Sequence, residues 1–140
     1  MAELINSDLF YAEGRGPELQ RLCWSKRGGQ LQAIEYFNPD DVFDEASLKH
    51  VRFERVQVVM ITPEDVIGLD QLKSLADSGS ASMLDLGKSP WLLSFSQQHL
   101  SSCHHFQLLF YDELIDIICE RVTCHAGKFT SETEANERPT

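Results

Sequence analysis

The sequence predicts an α+β fold: a single antiparallel sheet of about five strands, in the order β-β-β-α-α-α-β-β, with helices packed on one face. Three observations lead there. Alternating apolar runs flank Gly28-Gly29, and a second pair flanks Asp112-Glu113; each is the pattern of a β-hairpin, which requires antiparallel pairing. Helix-start signals are grouped in the middle of the chain instead of alternating with strands, which argues against a doubly wound fold. The length of 140 residues is that of one domain. Such a chain buries about two-thirds of the surface its unfolded form exposes, so it needs no metal or disulfide to fold.

The first hairpin joins Glu18–Lys26 to Gln30–Phe37 through glycines that accept positive φ. Gly14-Arg15-Gly16-Pro17 breaks the chain before it, and Asn38-Pro39-Asp40-Asp41 closes it with turn chemistry. The acidic DDVFDEASL segment supports a single helical turn. His50–Ile61 is a strong strand whose apolar parity changes: Val51 and Phe53 lie on one face, Val56, Val58 and Met60 on the other. That phase change predicts a bulge near Glu54-Arg55. Its apolar end, VQVVMI, reads as a central strand covered on both faces.

Thr62-Pro63-Glu64-Asp65 reads as a helix start, with Thr as cap, Pro in the first turn and acids at the positive end of the dipole. Asp70 caps a second helix over 71–77. The SGSAS segment, 78–82, is linker-like. Ser89-Pro90-Trp91 repeats the cap-plus-proline signature, with Trp91, Leu92, Phe95 and His99 at helical spacing. The last hairpin runs from Cys103 to Cys124, and the globular domain is expected to span 1–126. Residues 127–140, polar throughout, are read as a disordered tail.

The net charge of −10, from 12 basic against 22 acidic residues, opposes phosphate backbones and anionic headgroups. It predicts no nucleic-acid or membrane binding and favours a basic protein partner. No apolar run approaches the ~20 residues of a spanning helix. The N-terminus, MAELINSDLF, lacks a basic and then apolar leader, so the four cysteines are read as reduced thiols in a cytoplasmic protein.

Five groups of residues invite a chemical reading. Cys103, His105, Cys119 and Cys124 are a weak alternative metal set. A hairpin centred on Asp112-Glu113 pairs Phe106 with Cys119 and His104 with Arg121, so alternation sends His104, Phe106, Leu108 and Phe110 to one face with Ile115, Ile117 and Cys119, and sends Cys103 and His105 to the other. The ligand spacing of a structural zinc site is missing. Nucleophilic catalysis lacks a motif: there is no G-x-S-x-G elbow, and Cys23 beside Trp24 reads as a core residue. The acids at 40–45 lack the glycine and spacing of a calcium loop. The glycines fit no phosphate cradle, and no cofactor is expected. The aromatic stripe Trp91, Phe95 and His99, joined by Tyr111, is the predicted binding surface for a peptide or an apolar small molecule.

The SPWL segment followed by HHFQLLFYDELIDIICE resembles strand-pair endings of several small bacterial domains and of toxin-neutralising-like proteins. The resemblance covers about a quarter of the chain. It contains no catalytic motif and implies a binding role. The function expected from these readings is a small, acidic, non-catalytic interaction module of the adaptor or toxin-neutralising kind, working through an acidic surface, a sheet edge or the aromatic stripe. Homodimerisation through an edge or the last hairpin is a variant of that reading. The alternative is a small-ligand binder or hydrolase using His and Cys residues near the C-terminal hairpin, with His99, His104 or His105 in a pocket between sheet and helices.

Overall fold

The computed structural model describes residues 3–4, 8–11, 16–27, 29–66 and 82–130. Among the described residues nine strands form two antiparallel sheets: β1 (Glu3–Leu4), β2 (Glu18–Trp24), β3 (Leu31–Phe37), β4 (Lys49–Glu54), β5 (Val58–Pro63), β6 (Met83–Asp85), β7 (His104–Leu109), β8 (Glu113–Cys119) and β9 (Arg121–Ala126). One sheet has the order β1-β6-β7-β8-β5, the other β2-β3-β4-β9. Among the described residues the only α-helix is a single turn, α1 (Pro90–Leu93). The predicted α+β architecture, one sheet with packed helices, is therefore corrected to a two-sheet β fold.

Two strands turn the corner between the sheets. The β4–β5 segment leaves one sheet for the other at Arg55, whose φ of 53° is left-handed backbone that a non-glycine residue rarely adopts. The β8–β9 segment makes the same transfer through the single residue Glu120. Because β4 pairs with β9 and β5 with β8, the two segments stay partnered on both sides of the bend. The Glu120 amide donates to the Glu54 carbonyl at 2.9 Å, and Arg55 pairs with the Glu120 carboxylate at 3.0 Å. Strands that switch sheets at a bend are the usual corners of closely packed double sheets. The parity change predicted near Glu54-Arg55 marks this corner.

The core lies between the sheets. Ile34, Tyr36, Val51 and Phe53 face Phe106, Leu108, Ile115, Ile117 and Cys119, and Phe10 and Phe110 close one end. Phe10, Tyr36 and Phe110 meet edge to face, with centroids 4.9–6.2 Å apart. The Tyr36 hydroxyl donates to the Leu9 carbonyl, and burial pushes its phenol far above the ordinary range, so it stays a donor.

Both predicted hairpins form. β2 and β3 pair around the glycine turn, where Gly29 has φ 60°. In the last hairpin Phe106 pairs with Ile117 and His104 with Cys119, two residues from the predicted register. A two-residue shift preserves alternation, so the predicted partition of faces holds.

Other elements differ. VQVVMI ends in β5, an edge strand and not a central one, with Met60 44% and Ile61 41% exposed. Thr62-Pro63 continues β5, and Glu64–Val66 forms only a 3-10 turn. The Glu64 amide bonds to the Asp112 carbonyl, so the even residues of β5 face β8 and Pro63, whose nitrogen carries no hydrogen, faces outward. The second helix, 71–77, and most of the SGSAS segment lie outside the described residues; Ser82 is buried. Ser89 does cap α1, accepting from the Leu92 amide, but the SFSQ sequence that follows has poor helix propensity, and the turn is not propagated. The acidic segment gives one 3-10 turn, Glu45–Ser47, capped by Asp44.

Gly16 shows how tightly the N-terminal crossing is packed. A Cβ added there would sit 2.5 Å from the Leu109 carbonyl oxygen, and the next residue, Pro17, accepts from the Tyr111 amide. Backbone atoms on both sides cannot yield as a side chain would. Gly16→Ala is expected to lower unfolding free energy by about 1–3 kcal/mol, measured by urea denaturation; an unchanged midpoint would refute the close approach.

Candidate functional site

Each sheet has an outer face, and polar side chains are concentrated there. On the β6–β8 side, alternation turns His105, Gln107, Leu114, Asp116 and Ile118 away from the core. The segment around α1 covers part of this face, packing Leu92, Leu100 and Cys103 on Ile118. Beneath it lies a polar chain centred on the buried His105 and Asp116. The Ser89 hydroxyl is 2.8 Å from His105 Nδ1, and His105 Nε2 is 2.7 Å from Asp116 Oδ1. Gln107 donates to the same carboxylate oxygen at 3.0 Å. A carboxylate acceptor assigns the hydrogen to Nε2, which leaves Nδ1 to accept from Ser89.

This serine–histidine–aspartate arrangement has the connectivity of an activated nucleophile, yet its surroundings suit an anchor. The Ser89 oxygen is already committed as the cap of α1. The Trp91 ring closes on His105 edge to face at 4.8 Å. Neither large groove described below is lined by any of the three residues. The network ties the α1 segment to the sheet by satisfying groups that would otherwise be costly to bury. Sequence reasoning missed Asp116. Its one visible signal was an acid inside the otherwise apolar run LIDIIC, a position where burial requires a partner.

The predicted aromatic stripe is divided. Trp91 and Phe95 touch, with centroids 5.8 Å apart, while His99 sits exposed in a 3-10 turn. Tyr111 lies in the β7–β8 turn, six strand positions from His105, about 20 Å away along the strand. It therefore does not join Trp91.

The cysteines and histidines are also dispersed. Cys103 belongs to the outer cluster, Cys119 to the core between the sheets, and Cys124 packs against that core from β9. Burial raises the Cys103 thiol and pushes Cys119 up to about 12, the opposite of what a nucleophile or metal ligand needs. Among the described residues no group of three His, Cys, Asp or Glu side chains gathers as a metal site. His104 instead meets Asp85 at 2.9 Å.

The outer face of the other sheet carries a second polar array. Arg21 clasps Glu35 through two hydrogen bonds, and Glu35 also accepts from the Phe129 amide. The Phe129 side chain is buried against Cys23 and Ala33, so the stretch just after Gly127, read from sequence as tail, packs on the sheet as far as described. His50 bonds to the Gly127 carbonyl and stacks on His125 at 5.1 Å. Desolvation, His50 and Arg52 together lower the His125 pKa. Beside them runs a groove of about 550 Å³ lined by Gln32, Arg52, Arg55, Thr123, His125 and Phe129 among others.

A third region is the edge of β5, which no strand among the described residues covers. A groove of about 540 Å³ opens at its start, bounded by Trp24, Val56 and Val59, with Trp24 itself exposed.

Comparison with known proteins yields no match to any protein-family model, curated protein or solved structure. No helix among the described residues is long and apolar enough to cross a membrane. The reading of function therefore rests on the geometry of this chain.

Proposed function

We propose that the protein is a non-catalytic interaction module that receives an extended, basic segment of a partner along the open edge of β5. The observation that carries this reading is the edge itself. Val58–Pro63 contains no charged residue, and its odd positions direct the backbone groups of Val59 and Ile61 outward. Such an edge is a template for strand addition unless charge, a bulge or a covering element blocks it. Met60 and Ile61 offer apolar contacts on its two faces, and the groove beside Trp24 can take a larger anchor.

Charge selects the partner. Glu64, Asp65 and Asp112 are exposed at the far end of the strand, and the chain as a whole carries −10. A basic segment is attracted along the whole approach, whereas two copies of this chain repel each other.

The test uses a fluorescent peptide alternating valine and threonine with two lysines at one end, against a counterpart ending in glutamates. The full chain is expected to bind the lysine peptide and not the glutamate one. Ile61→Pro removes an outward amide without touching the β8 ladder, as Pro63 already does one step on, and should weaken binding by about tenfold or more. Unchanged binding by the folded variant overturns the proposal. So does a concentration-dependent dimer of the parent chain that Ile61→Pro dissolves, because the edge would then serve a second copy.

A further inference from the structure

We infer that the groove over β3, β4 and β9 is a binding site for a small organic carboxylate, a monoanion whose charge is held by Arg52. This site lies over the other sheet from the β5 edge and shares the Gln30–Leu31 wall with the groove beside Trp24.

Twenty-two carboxylate side chains face 12 basic ones, and among the described arginines Arg21, Arg55 and Arg121 each meet a carboxylate. Of the other charges at this groove, Arg55 pairs with Glu120 at 3.0 Å, and Glu54, which lines the same wall, lies 3.5 Å from Arg121. Among the described residues no carboxylate pairs with Arg52. Its guanidinium lies over the Phe129 ring, 5.7 Å from the centroid. That contact orients the planar fork while leaving its N–H donors available. One uncompensated positive charge matches a monoanion and is poorly matched to a polyphosphate or a nucleic acid.

Local structure explains the placement. Outward alternation along β4 and β9 brings Arg52 opposite Thr123, and the β3–β4 register sets Arg52 beside Ala33, next to Gln32. The Gln32 amide has no hydrogen-bond partner among the described residues and supplies further polar capacity at the same wall. Thr123 meets His125 Nε2 at 2.9 Å, which fixes the imidazole at the groove's side. Phe129, held in place by the Glu35 bond to its amide and 5% exposed, forms the buried floor beneath the Arg52 guanidinium. The volume of about 550 Å³ falls within the range of small-molecule sites.

Benzoate is the probe, with benzamide as its uncharged isostere, each titrated into the full ¹⁵N-labelled chain and followed by amide shifts. Benzoate is expected to bind with Kd on the order of 1 mM, with shifts confined to residues 30–32, 52–55 and 123–129, and benzamide to bind at least about tenfold more weakly. Arg52→Gln should cost about tenfold, Arg52→Lys less, and Arg27→Gln, an exposed charge outside this groove, nothing. Arg52 is exposed, so these variants are expected to fold, and the unchanged spectrum away from the groove verifies it. Equal binding of benzamide, unchanged affinity of Arg52→Gln, shifts centred elsewhere, or no saturable binding would each overturn the proposal.

Discussion

His105→Ala is expected to destabilise the protein by about 3–5 kcal/mol, the cost of stranding a buried charge. Asp116 is only 3% exposed, and its carboxylate would be left with the Gln107 amide as its one remaining hydrogen-bond donor among those described. The loss should appear as a lower urea midpoint with an unchanged slope. A double variant, His105→Ala with Asp116→Ala, should cost clearly less than the sum of the single changes, because the orphaned charge disappears along with its partner. Ser89→Ala should cost about 1 kcal/mol, the value of a helix cap. If His105→Ala shifted stability by less than about 1 kcal/mol, the anchoring role of the network would be wrong. The same set of variants separates anchor from nucleophile. Turnover of an activated ester that vanished in Ser89→Ala while stability held would favour the hydrolase reading.

Ile117→Ala is expected to cost about 2–5 kcal/mol, from lost burial plus the cavity left behind. Ile117 is fully buried on β8 and pairs with Phe106 on one side and Val59 on the other, so three strands line the space it fills. The informative comparison is Ile61→Ala, the same chemical change two positions along β5 from Val59. Ile61 is 41% exposed at the free edge, and its truncation should fall within about 1 kcal/mol. Urea denaturation of both variants checks the placement of β5. Similar, large losses at the two positions would mean that the edge is covered and not available to a partner.

The two variants also show where sequence and structure part company. Ile61 and Ile117 sit in runs that read alike, VQVVMI and LIDIIC. Both are β-branched, apolar and strand-sized, and nothing local distinguishes a strand with two neighbours from a strand with one. The sequence reading made β5 central for that reason. The helix expected from Thr62-Pro63 failed on a related point. Cap chemistry and proline suit a helix start, but they also suit the outward position at the end of an edge strand, and the ladder to β8 extends through Pro63.

The candidate sites were legible only in part. The metal alternative was set aside on alternation, and the same alternation disperses Cys103 and Cys119 in the structure. Trp91 was singled out, and it does lie against His105, but the helix that was to align it with His99 and Tyr111 stops after one turn. Arg52 and Phe129 gave no signal, because they are 77 positions apart in sequence and meet only when β9 lays the chain after Gly127 across the sheet.

By itself the sequence determined which residues form strands in the two hairpins, which faces those strands present, where the long strand changes phase, and the acidity of the surface. These follow from side-chain periodicity and turn chemistry, which act over a few residues and survive even a register error of two. Tertiary structure alone decided that the strands divide between two sheets, that β5 lies at the end of its sheet among the described residues, and that Asp116 finds His105 and Arg52 finds Phe129. Those outcomes depend on contacts between distant segments, where burial and pairing are settled by which surfaces meet, and no local pattern records that choice.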